Sequence, residues 1–182
     1  MSSDQGSVTG VVMEERRSQA QEDRFNKLSE LRRRGIEPYG YGYDVTHSSA
    51  EARALLAQAE AEGLKATQAV RVAGRIMSLR AHGKATFADL SDREGQIQLF
   101  IRQNLVGDAA YQLVPLLDPG DWIGAEGTVM KTRTGEVSVQ VTALTLLSKS
   151  LRPLPIPKEE VDEATGARVV HGAFADIEQR YR

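Results

Sequence analysis

The sequence KATFADLSDREGQIQLFIR, residues 84–102, predicts two β-strands joined by a tight turn. Residue types alternate along both strands, so one face of this hairpin is mainly apolar and is predicted to be buried. That face carries Thr86, Ala88, Leu90, Ile97, Leu99 and Ile101. Phe87 falls on the opposite, mainly polar face, together with Gln98, Phe100 and Arg102. An aromatic ring beside an amide and an arginine indicates a stacking surface; the alternative is that Phe87 and Phe100 pack beneath a loop.

The length and composition limit the classes of protein to which this chain can belong. A chain of 182 residues has room for one good core with extensions, because domains commonly contain about 100–150 residues. The formal net charge of -2 argues against a uniformly basic nucleic-acid-binding surface, so any RNA contact has to come from local basic patches. The absence of cysteine excludes a disulfide framework, a thiolate metal site and a cysteine nucleophile.

Two further absences concern the membrane. No apolar run approaches the roughly 18 residues that a membrane-spanning helix needs. The amino terminus also lacks the basic-then-apolar order of a secretory signal. We therefore expect a cytoplasmic protein with no membrane partner.

The chain before the strands is predicted to be helical. Residues 13–34 predict a first helix, which ends before Gly35 and carries Arg32 and Arg33 near its carboxyl end. These cations complement the helix dipole there; the functional alternative is that they contact RNA phosphates. Ser48 begins the capping-box pattern S-x-x-E and predicts the start of a second helix.

Five strands are predicted after residue 70, where the apolar period becomes two. The first strand carries Arg75 on a partly polar face, and Gly74 permits the sharp coiling that a small barrel requires. The hairpin supplies the second and third strands. Residues 105–117 are apolar without alternation and predict one short helix that plugs an end of the barrel, and residues 121–132 predict the fourth strand.

The fifth strand shows the most regular alternation in the chain. Its buried face is predicted to carry Val137, Val139, Val141 and Ala143. Glu136 and Ser138 lie on the opposite, wet face. Three strands, a helix and two strands are the order of an OB-fold, so the predicted fold class is mainly β with flanking helices, a five-stranded OB-fold barrel preceded by an N-terminal helical extension.

The predicted units follow one another along the chain. They are a disordered tail at residues 1–12, a helical extension at 13–66, an OB-fold domain at 67–150, a linker and surface loop at 151–172, and the beginning of a further element at 173–182. The proline-rich segment LRPLPIP is typical of a semi-rigid linker.

The sequence contains no cluster of residues with catalytic spacing. His47, His82 and His171 are far apart, and no two histidines have the i,i+4 spacing of helical metal ligands. Asp89 and Asp92 are interpreted as turn and solubility residues and not as a carboxylate pair. We therefore predict no catalytic residue, no metal site and no cofactor in this chain, which we expect to be a binding module.

The wet face of the barrel has residue types that suit single-stranded RNA. It is predicted to carry Arg75, Phe87, Gln98, Phe100, Arg102 and Glu136. On such a surface an aromatic ring stacks on a splayed base, amides and carboxylates bond the base edge, and arginines hold phosphates. A carboxylate near RNA is costly unless it accepts a hydrogen bond from a base. Glu136 therefore indicates a surface that reads bases.

Four segments resemble the amino-terminal anticodon-binding domain of class II lysyl-tRNA synthetases. They are KLSELRRRGIEPY, VRVAGRIMSLRAHGKATFADLSDREGQIQLFIR, GDWIGAEGTVMKTRTGEVSVQVTALTLLSKSLRPLP and DIEQRYR. The resemblance covers residues 24–158 and resumes at 174–182, which implies that residues 173–182 are the start of a truncated catalytic domain. The related aspartyl and asparaginyl enzymes share the barrel, but the leading basic helix and the LLSKSLRPLP ending are similar to the lysyl family.

The resemblance implies roles for individual residues. In that family the ring matching Phe87 stacks on the central anticodon uridine, and the groups matching Gln98 and Glu136 bond to anticodon bases. Arg75 matches a family arginine on the same surface. Further expected RNA contacts are Phe100, Arg102, Arg32 and Arg33. His82 departs from the family, in which a methionine often occupies this turn.

The resemblance also implies a larger parent enzyme that attaches lysine to tRNA(Lys) with ATP and Mg²⁺. The motifs for that chemistry have no counterpart in this sequence, so we expect the chain alone to bind the anticodon stem-loop without activity. The parent is expected to be a homodimer. Two other classes stay open: a free-standing single-stranded nucleic-acid-binding OB module, and a protein-interaction domain that uses the arginine-rich helix and the stretch YGYGY at residues 39–43.

Overall fold

A computed structural model describes residues 18–154, 158–161 and 168–171 of the chain. The predicted tail at residues 1–12 and the predicted element at 173–182 lie outside these residues. In chain order the elements are α1 (Gln19–Arg33), α2 (Ser49–Ala61), β1 (Ala66–His82), β2 (Ala85–Ser91), β3 (Gln96–Arg102), α3 (Gln103–Val106), α4 (Asp108–Tyr111), a 3₁₀ helix (Val114–Leu116), β4 (Trp122–Lys131), β5 (Val137–Ser148), β6 (Lys158–Val161) and β7 (Arg168–His171).

Strands β1 to β5 close into a barrel in the order β1-β2-β3-β5-β4. All neighbouring pairs are antiparallel except β3 and β5, which run parallel. The parallel pair arises because the chain crosses one end of the barrel between β3 and β4. The predicted class, a five-stranded barrel preceded by helices, is confirmed.

The core lies inside the barrel and is built from alternate residues of every strand. Its fully buried large side chains include Val70, Val72, Ile76, Leu90, Ile97, Leu99, Ile101, Ile123, Val129 and Val139. On β2 and β3 the buried residues are those that the alternation of the hairpin predicts. Burying one such side chain contributes about 1.5–3 kcal/mol, so the apolar face of the hairpin is a main source of stability.

Strand β1 extends over 17 residues and coils around the barrel, beginning earlier than predicted, at Ala66. Gly74 permits the coiling, because a Cβ at this position would lie 2.5 Å from the carbonyl oxygen of Ser91. The pairing with β2 then shifts between Ile76 and Ser78, which is the signature of a β-bulge. The bulge sets which side chains of β1 reach the outer face of β2.

The predicted burial of Ala143 is wrong. The pairing of β4 with β5 shifts between Glu126 and Gly127, where the strands approach so closely that a Cβ at Gly127 would overlap the backbone carbonyl of Gln140. Beyond this bulge the alternation changes phase, so Ala143 is exposed and Leu146 is buried. The bulge lies in the pairing of two strands, and the alternation within one strand does not reveal it.

The single helix predicted over residues 105–117 is also wrong. Helices α3 and α4 are four residues each and meet at Gly107, whose φ of 81° ends the first of them. Pro115 lies in the 3₁₀ helix that follows. The segment still contributes to the core, since Leu113 and Leu116 are buried.

Capping boxes begin both amino-terminal helices. At α2 the side chain of Ser48 accepts from the backbone N–H of Glu51, and the Glu51 carboxylate accepts from the Ser48 N–H at 2.7 Å, as predicted. Ser18 and Gln21 form the equivalent box at α1, so this helix begins later than the predicted residue 13. None of the helices in the part of the chain that the structure describes has the length and hydropathy of a membrane-spanning segment.

A cluster of charges joins α1 to the end of the barrel. The Nζ atom of Lys149 lies 2.8 Å from Asp121 Oδ2 and 2.6 Å from Asp118 Oδ2, and the side chains of Lys149 and Asp121 are fully buried. Lys27 of α1 pairs with the other oxygen of Asp118 at 2.6 Å. Arg24 of α1 donates to two backbone carbonyls of the same region. We refer to Lys27, Asp118, Asp121 and Lys149 as the Lys149 cluster.

Residues 158–172, predicted as a surface loop, contain regular structure. Strands β6 and β7 form a two-stranded antiparallel sheet in which Lys158 pairs with His171. The sequence of β6, KEEV, has no apolar alternation, so the pattern that revealed the barrel strands gives no signal here.

Candidate nucleic-acid interface

A groove of about 560 Å³ lies over the outer face of β2 and β3. It is lined by Arg80, Phe87, Gln98, Phe100, Met130, Lys131, Thr132, Arg133, Thr134 and Glu136. The β1–β2 turn flanks this face on one side, and the β4–β5 turn contributes several lining residues on the other. These two loops and the face between them form the surface on which OB-folds commonly bind oligonucleotides.

Two stacked aromatic rings form the apolar part of the groove. Phe87 and Phe100 are directly paired across β2 and β3, and their ring centroids are 4.9 Å apart with an interplanar angle of 21°. The ring of His82 meets Phe87 edge-on at 6.1 Å. Both phenylalanines are half-buried, so ring surface stays accessible from the groove. Arg102 places its guanidinium 5.8 Å from the centroid of Phe100.

A row of four polar residues crosses the strands beside these rings. Ser78 of β1 is paired with Asp89 of β2, Asp89 with Gln98 of β3, and Gln98 with Ser138 of β5. Ser138 is fully buried, so its predicted place on the wet face of β5 is wrong, and its hydroxyl donates to Gln98 Oε1 at 2.9 Å. The hydroxyl of Ser78 donates to Asp89 Oδ2. We call these four residues the polar row.

Asp89 is an ion-pairing residue within β2, so its interpretation as a turn residue is wrong. Arg80 donates to Asp89 Oδ2 at 2.7 Å through one nitrogen and to Oδ1 at 3.1 Å through another. The hydrogen bonding from Arg80 is the main cause that holds the pKa of Asp89 below its ordinary value, with smaller contributions from Ser78 and Gln98. Asp92, in contrast, is a turn residue: its carboxylate accepts from the backbone N–H groups of Glu94 and Gly95.

Glu136 lies at the end of the tight turn between β4 and β5. Its backbone N–H donates to Thr132 Oγ1 at 3.1 Å, and its carbonyl accepts from the Thr132 N–H at 2.9 Å. The carboxylate is half exposed and lies 3.6 Å from the guanidinium of Arg53 on α2. Arg53 in turn donates from Nε to the carbonyl of Gln96 at 2.9 Å. The backbone of Glu136 is thus fixed while its carboxylate stays available to a ligand.

The structure brings together four of the eight predicted site residues. Phe87, Gln98, Phe100 and Glu136 line the groove, and Arg102 adjoins it through Phe100. Arg75 is not brought to the groove: it pairs with Ser91 and Trp122, and its guanidinium lies 5.5 Å from the Trp122 ring centroid. Arg32 and Arg33 belong to α1, which contributes no residue to the groove, and Arg33 is paired with Glu30 at 2.7 Å.

Several residues of the site were missed in the sequence. The basic ones are Arg53, Arg80, Lys131 and Arg133, and the polar row adds Asp89 and Ser138. The bulge after Ile76 changes the phase of β1, so that Ser78 pairs with Asp89 and Arg80 with Phe87, and the sequence of β1 alone does not reveal this bulge. The segment MKTRTGE, with two cations just before a Gly-containing turn, is the sequence feature from which Lys131 and Arg133 could have been predicted.

The charges of the groove are mixed. Arg80, Lys131 and Arg133 supply positive charge and Glu136 supplies negative charge, so the net charge of -2 for the chain coexists with a local basic patch. Lys131 is paired with Glu60 of α2 at 2.6 Å. Within the described part of the chain, no group of three or more His, Cys, Asp or Glu side chains is placed to hold a metal ion.

Comparison with known proteins is consistent with this geometry. Residues 70–147 match the OB-fold nucleic acid binding domain of the tRNA anticodon family. The chain is 50% identical over 132 residues to a lysine–tRNA ligase of Moorella thermoacetica, a match covering 72% of this chain and 26% of that protein. It is 44% identical over 159 residues to the lysine–tRNA ligase of Dehalococcoides mccartyi, covering 87% and 29%. For the lysine–tRNA ligase of Enterococcus faecalis the identity is 46% over 160 residues, covering 87% and 30%.

The chain therefore spans less than a third of the length of these curated relatives.

Proposed function

We propose that this chain, which belongs to the lysine–tRNA ligase family and comprises its anticodon-binding OB-fold domain, binds the anticodon stem-loop of tRNA(Lys). The observation that carries the proposal is the groove over β2 and β3, where two stacked phenylalanines lie beside an oriented amide. Single-stranded loops, whose bases can be splayed out, are the RNA elements that proteins read by stacking and by edge hydrogen bonds.

The residues of the groove make three kinds of contact with the RNA in this proposal. Phe87 stacks on the central base of the anticodon, a contact worth about 1–3 kcal/mol. Gln98 bonds the edge of that base, and Glu136 accepts a hydrogen bond from a neighbouring base. Arg80 and Arg133 contact phosphates, because both line the groove and the third lining cation, Lys131, is paired with Glu60.

The parent protein in this proposal is an enzyme that attaches lysine to tRNA(Lys) in the cytoplasm with ATP and Mg²⁺, and it acts as a homodimer. The support is the similarity to lysine–tRNA ligases over most of this chain. This chain then contributes tRNA selection, and by itself it is expected to bind RNA without charging it.

The proposal is tested by titrating the chain with an RNA stem-loop that carries a lysine anticodon. A matched stem-loop has its central uridine replaced by cytidine, so charge and length are unchanged. We expect the lysine stem-loop to bind at least about tenfold more tightly, the scale of one bidentate base contact. Equal affinity for the two stem-loops would contradict base reading by this groove.

A second candidate function is binding of single strands without base preference. The basic lining residues Arg80, Lys131 and Arg133 favour it, because phosphate contacts carry no sequence information. This function predicts equal affinity for the two stem-loops and a steep fall of affinity as salt rises. The same titration, repeated at two salt concentrations, separates the two candidates.

A further inference from the structure

Neighbouring side chains on both sides of the Gln98 carboxamide restrict its orientation. The Oε1 atom of Gln98 accepts from the Ser138 hydroxyl at 2.9 Å, and Ser138 is fully buried. On the other side Gln98 is directly paired with Asp89, and its amide contributes to the lowered pKa of that carboxylate. The polar row thus holds the amide between a donor and an acceptor.

Asp89 decides which end of the amide faces which neighbour. An ionised carboxylate only accepts hydrogen bonds, so only the Nε2 end of Gln98 can bond to it. Arg80 keeps this carboxylate ionised through its two hydrogen bonds, and Ser78 adds a third. The opposite arrangement, with Oε1 toward Asp89, would place two acceptors against each other, and Ser138 would lose its acceptor Oε1.

A fixed amide still has the capacity to bind a base. Each end of a carboxamide has two hydrogen-bonding positions, two N–H groups on nitrogen and two lone pairs on oxygen. Ser138 occupies one lone pair of Oε1. Even with one N–H directed at Asp89, one N–H and one lone pair remain, and Gln98 is only half-buried in the wall of the groove.

The order of this donor and this acceptor distinguishes the two pyrimidines. Uracil presents an acceptor at O4 next to a donor at N3, whereas cytosine presents a donor at N4 next to an acceptor at N3. For a base held in one position by stacking, an amide of one orientation matches uracil, and the flipped amide matches cytosine. An amide free to flip would accommodate both.

We propose that Asp89 and Ser138 are the specificity-determining positioning residues of the groove, because they hold Gln98 in the single orientation that accepts one pyrimidine and rejects the other. Neither residue has to touch the RNA. The inference rests on the proposed function, since it presumes a pyrimidine stacked beside Gln98. Arg80 and Ser78 support it indirectly by holding Asp89.

The first experiment compares the uridine and cytidine stem-loops on Ser138→Ala and Asp89→Asn chains. Ser138→Ala removes the donor to Oε1, and Asp89→Asn replaces an obligatory acceptor with a group that bonds in either orientation. We expect the preference for one pyrimidine to fall from about tenfold to about two- to threefold. The loss should arise mainly from tighter binding of the disfavoured stem-loop, which a general loss of structure does not produce.

Two control variants isolate the effect. Ser91→Ala removes a hydroxyl of β2 that lies outside the polar row and should leave the preference unchanged. Asp44→Asn changes the net charge as Asp89→Asn does, but at an exposed residue of the α1–α2 connection. If Ser138→Ala fails to fold because Ser138 is buried, the comparison is made with Asp89→Asn alone. This variant is expected to fold, since Asp89 is on the outer face of the barrel.

The second experiment needs no RNA. Relaxation of the Gln98 side-chain ¹⁵N nucleus is expected to give an order parameter near the rigid backbone value of about 0.85, falling below about 0.6 in Ser138→Ala. A mobile Gln98 amide in the unchanged chain, or an unaltered preference in both variants, would overturn the inference alone. Absence of any pyrimidine preference in the unchanged chain would overturn the proposed function as well.

Discussion

Two ionic clusters in this chain use the same chemistry in opposite surroundings. In the Lys149 cluster the side chains of Lys149 and Asp121 are fully buried, and the cluster fixes α1 to the end of the barrel. In the groove, Arg80 and Asp89 form an equally short pair of 2.7 Å, but their side chains are 47% and 30% exposed. The first cluster is closed to ligands, and the second lines a cleft.

The difference shows that burial, and not the presence of an ion pair, separates a structural cluster from a binding one. Breaking a buried pair leaves an unpaired charge inside the protein, which is strongly destabilising. A half-exposed pair contributes little to stability because solvent screens it, but its charges and hydrogen-bonding groups remain accessible. Stability and RNA affinity, measured on the same variants, therefore distinguish the two clusters.

The largest expected effect is on stability at the Lys149 cluster. Lys149→Met keeps the length of the side chain and removes its charge, leaving buried Asp121 without its cation. We expect the free energy of unfolding to fall by about 3–5 kcal/mol, measured by urea denaturation. RNA affinity should be unchanged under conditions where the variant is folded.

The matched control for this variant is Lys27→Met, which removes the partly exposed partner of Asp118. It should cost no more than about 1 kcal/mol, the range of surface ion pairs. A loss as large as that of Lys149→Met would show that burial does not distinguish the two lysines.

The next effect is on RNA affinity in the groove. Phe87→Ala removes the stacking ring, and we expect the free energy of binding to the lysine stem-loop to weaken by about 1–3 kcal/mol. The free energy of unfolding should fall by about 1 kcal/mol, the scale of one aromatic pair, because Phe87 is only half-buried. Fluorescence titration and urea denaturation measure the two quantities.

Trp122→Ala is the control for Phe87→Ala, because it removes an aromatic ring from the outer surface of the barrel at a position away from the groove. Trp122 lies with Arg75 outside the groove, so the RNA affinity of the Trp122→Ala chain should differ by less than about twofold from that of the unchanged chain. A larger loss would show that Arg75 and Trp122 belong to the RNA surface, as the sequence predicted for Arg75.

The smallest effect is the response of stability to acid. Burial by itself would raise the pKa of Asp118, but hydrogen bonds from Lys149 and Lys27 outweigh it and lower the pKa. The ionised carboxylate therefore stabilises the folded chain fully above the unfolded pKa of about 4, and this contribution is lost as the pH falls below it. Asp118→Asn should flatten the decline of unfolding free energy below about pH 4.5, and an unchanged decline would contradict this assignment.

The sequence predicted most successfully what depends on near neighbours. The hairpin of β2 and β3 was predicted with its faces because alternation is local, and the α2 capping box because Ser48 and Glu51 are three residues apart. Phe87, Gln98, Phe100 and Glu136 were predicted as one surface because neighbouring strands share outward faces. The resemblance to a known family added the expected base.

Prediction from the sequence failed where strand register, burial or ion pairing depends on distant segments of the chain. The bulge between Ile76 and Ser78 brings Arg80 to the groove, and the bulge at Gly127 exposes Ala143. The Lys149 cluster was not predicted either, since Lys149 and Asp121 are 28 residues apart. Strand register and burial result from packing of the whole barrel, so single-strand patterns do not specify them.

RNA binding by the groove is tested most directly by mapping the RNA contact on the protein by ¹H–¹⁵N NMR titration with the lysine stem-loop. We expect the largest shifts at the backbone amides of Phe87, Gln98, Phe100 and Gly135, with little change at Asp121 and Lys149. Shifts concentrated on α1, with none in the groove, would contradict it.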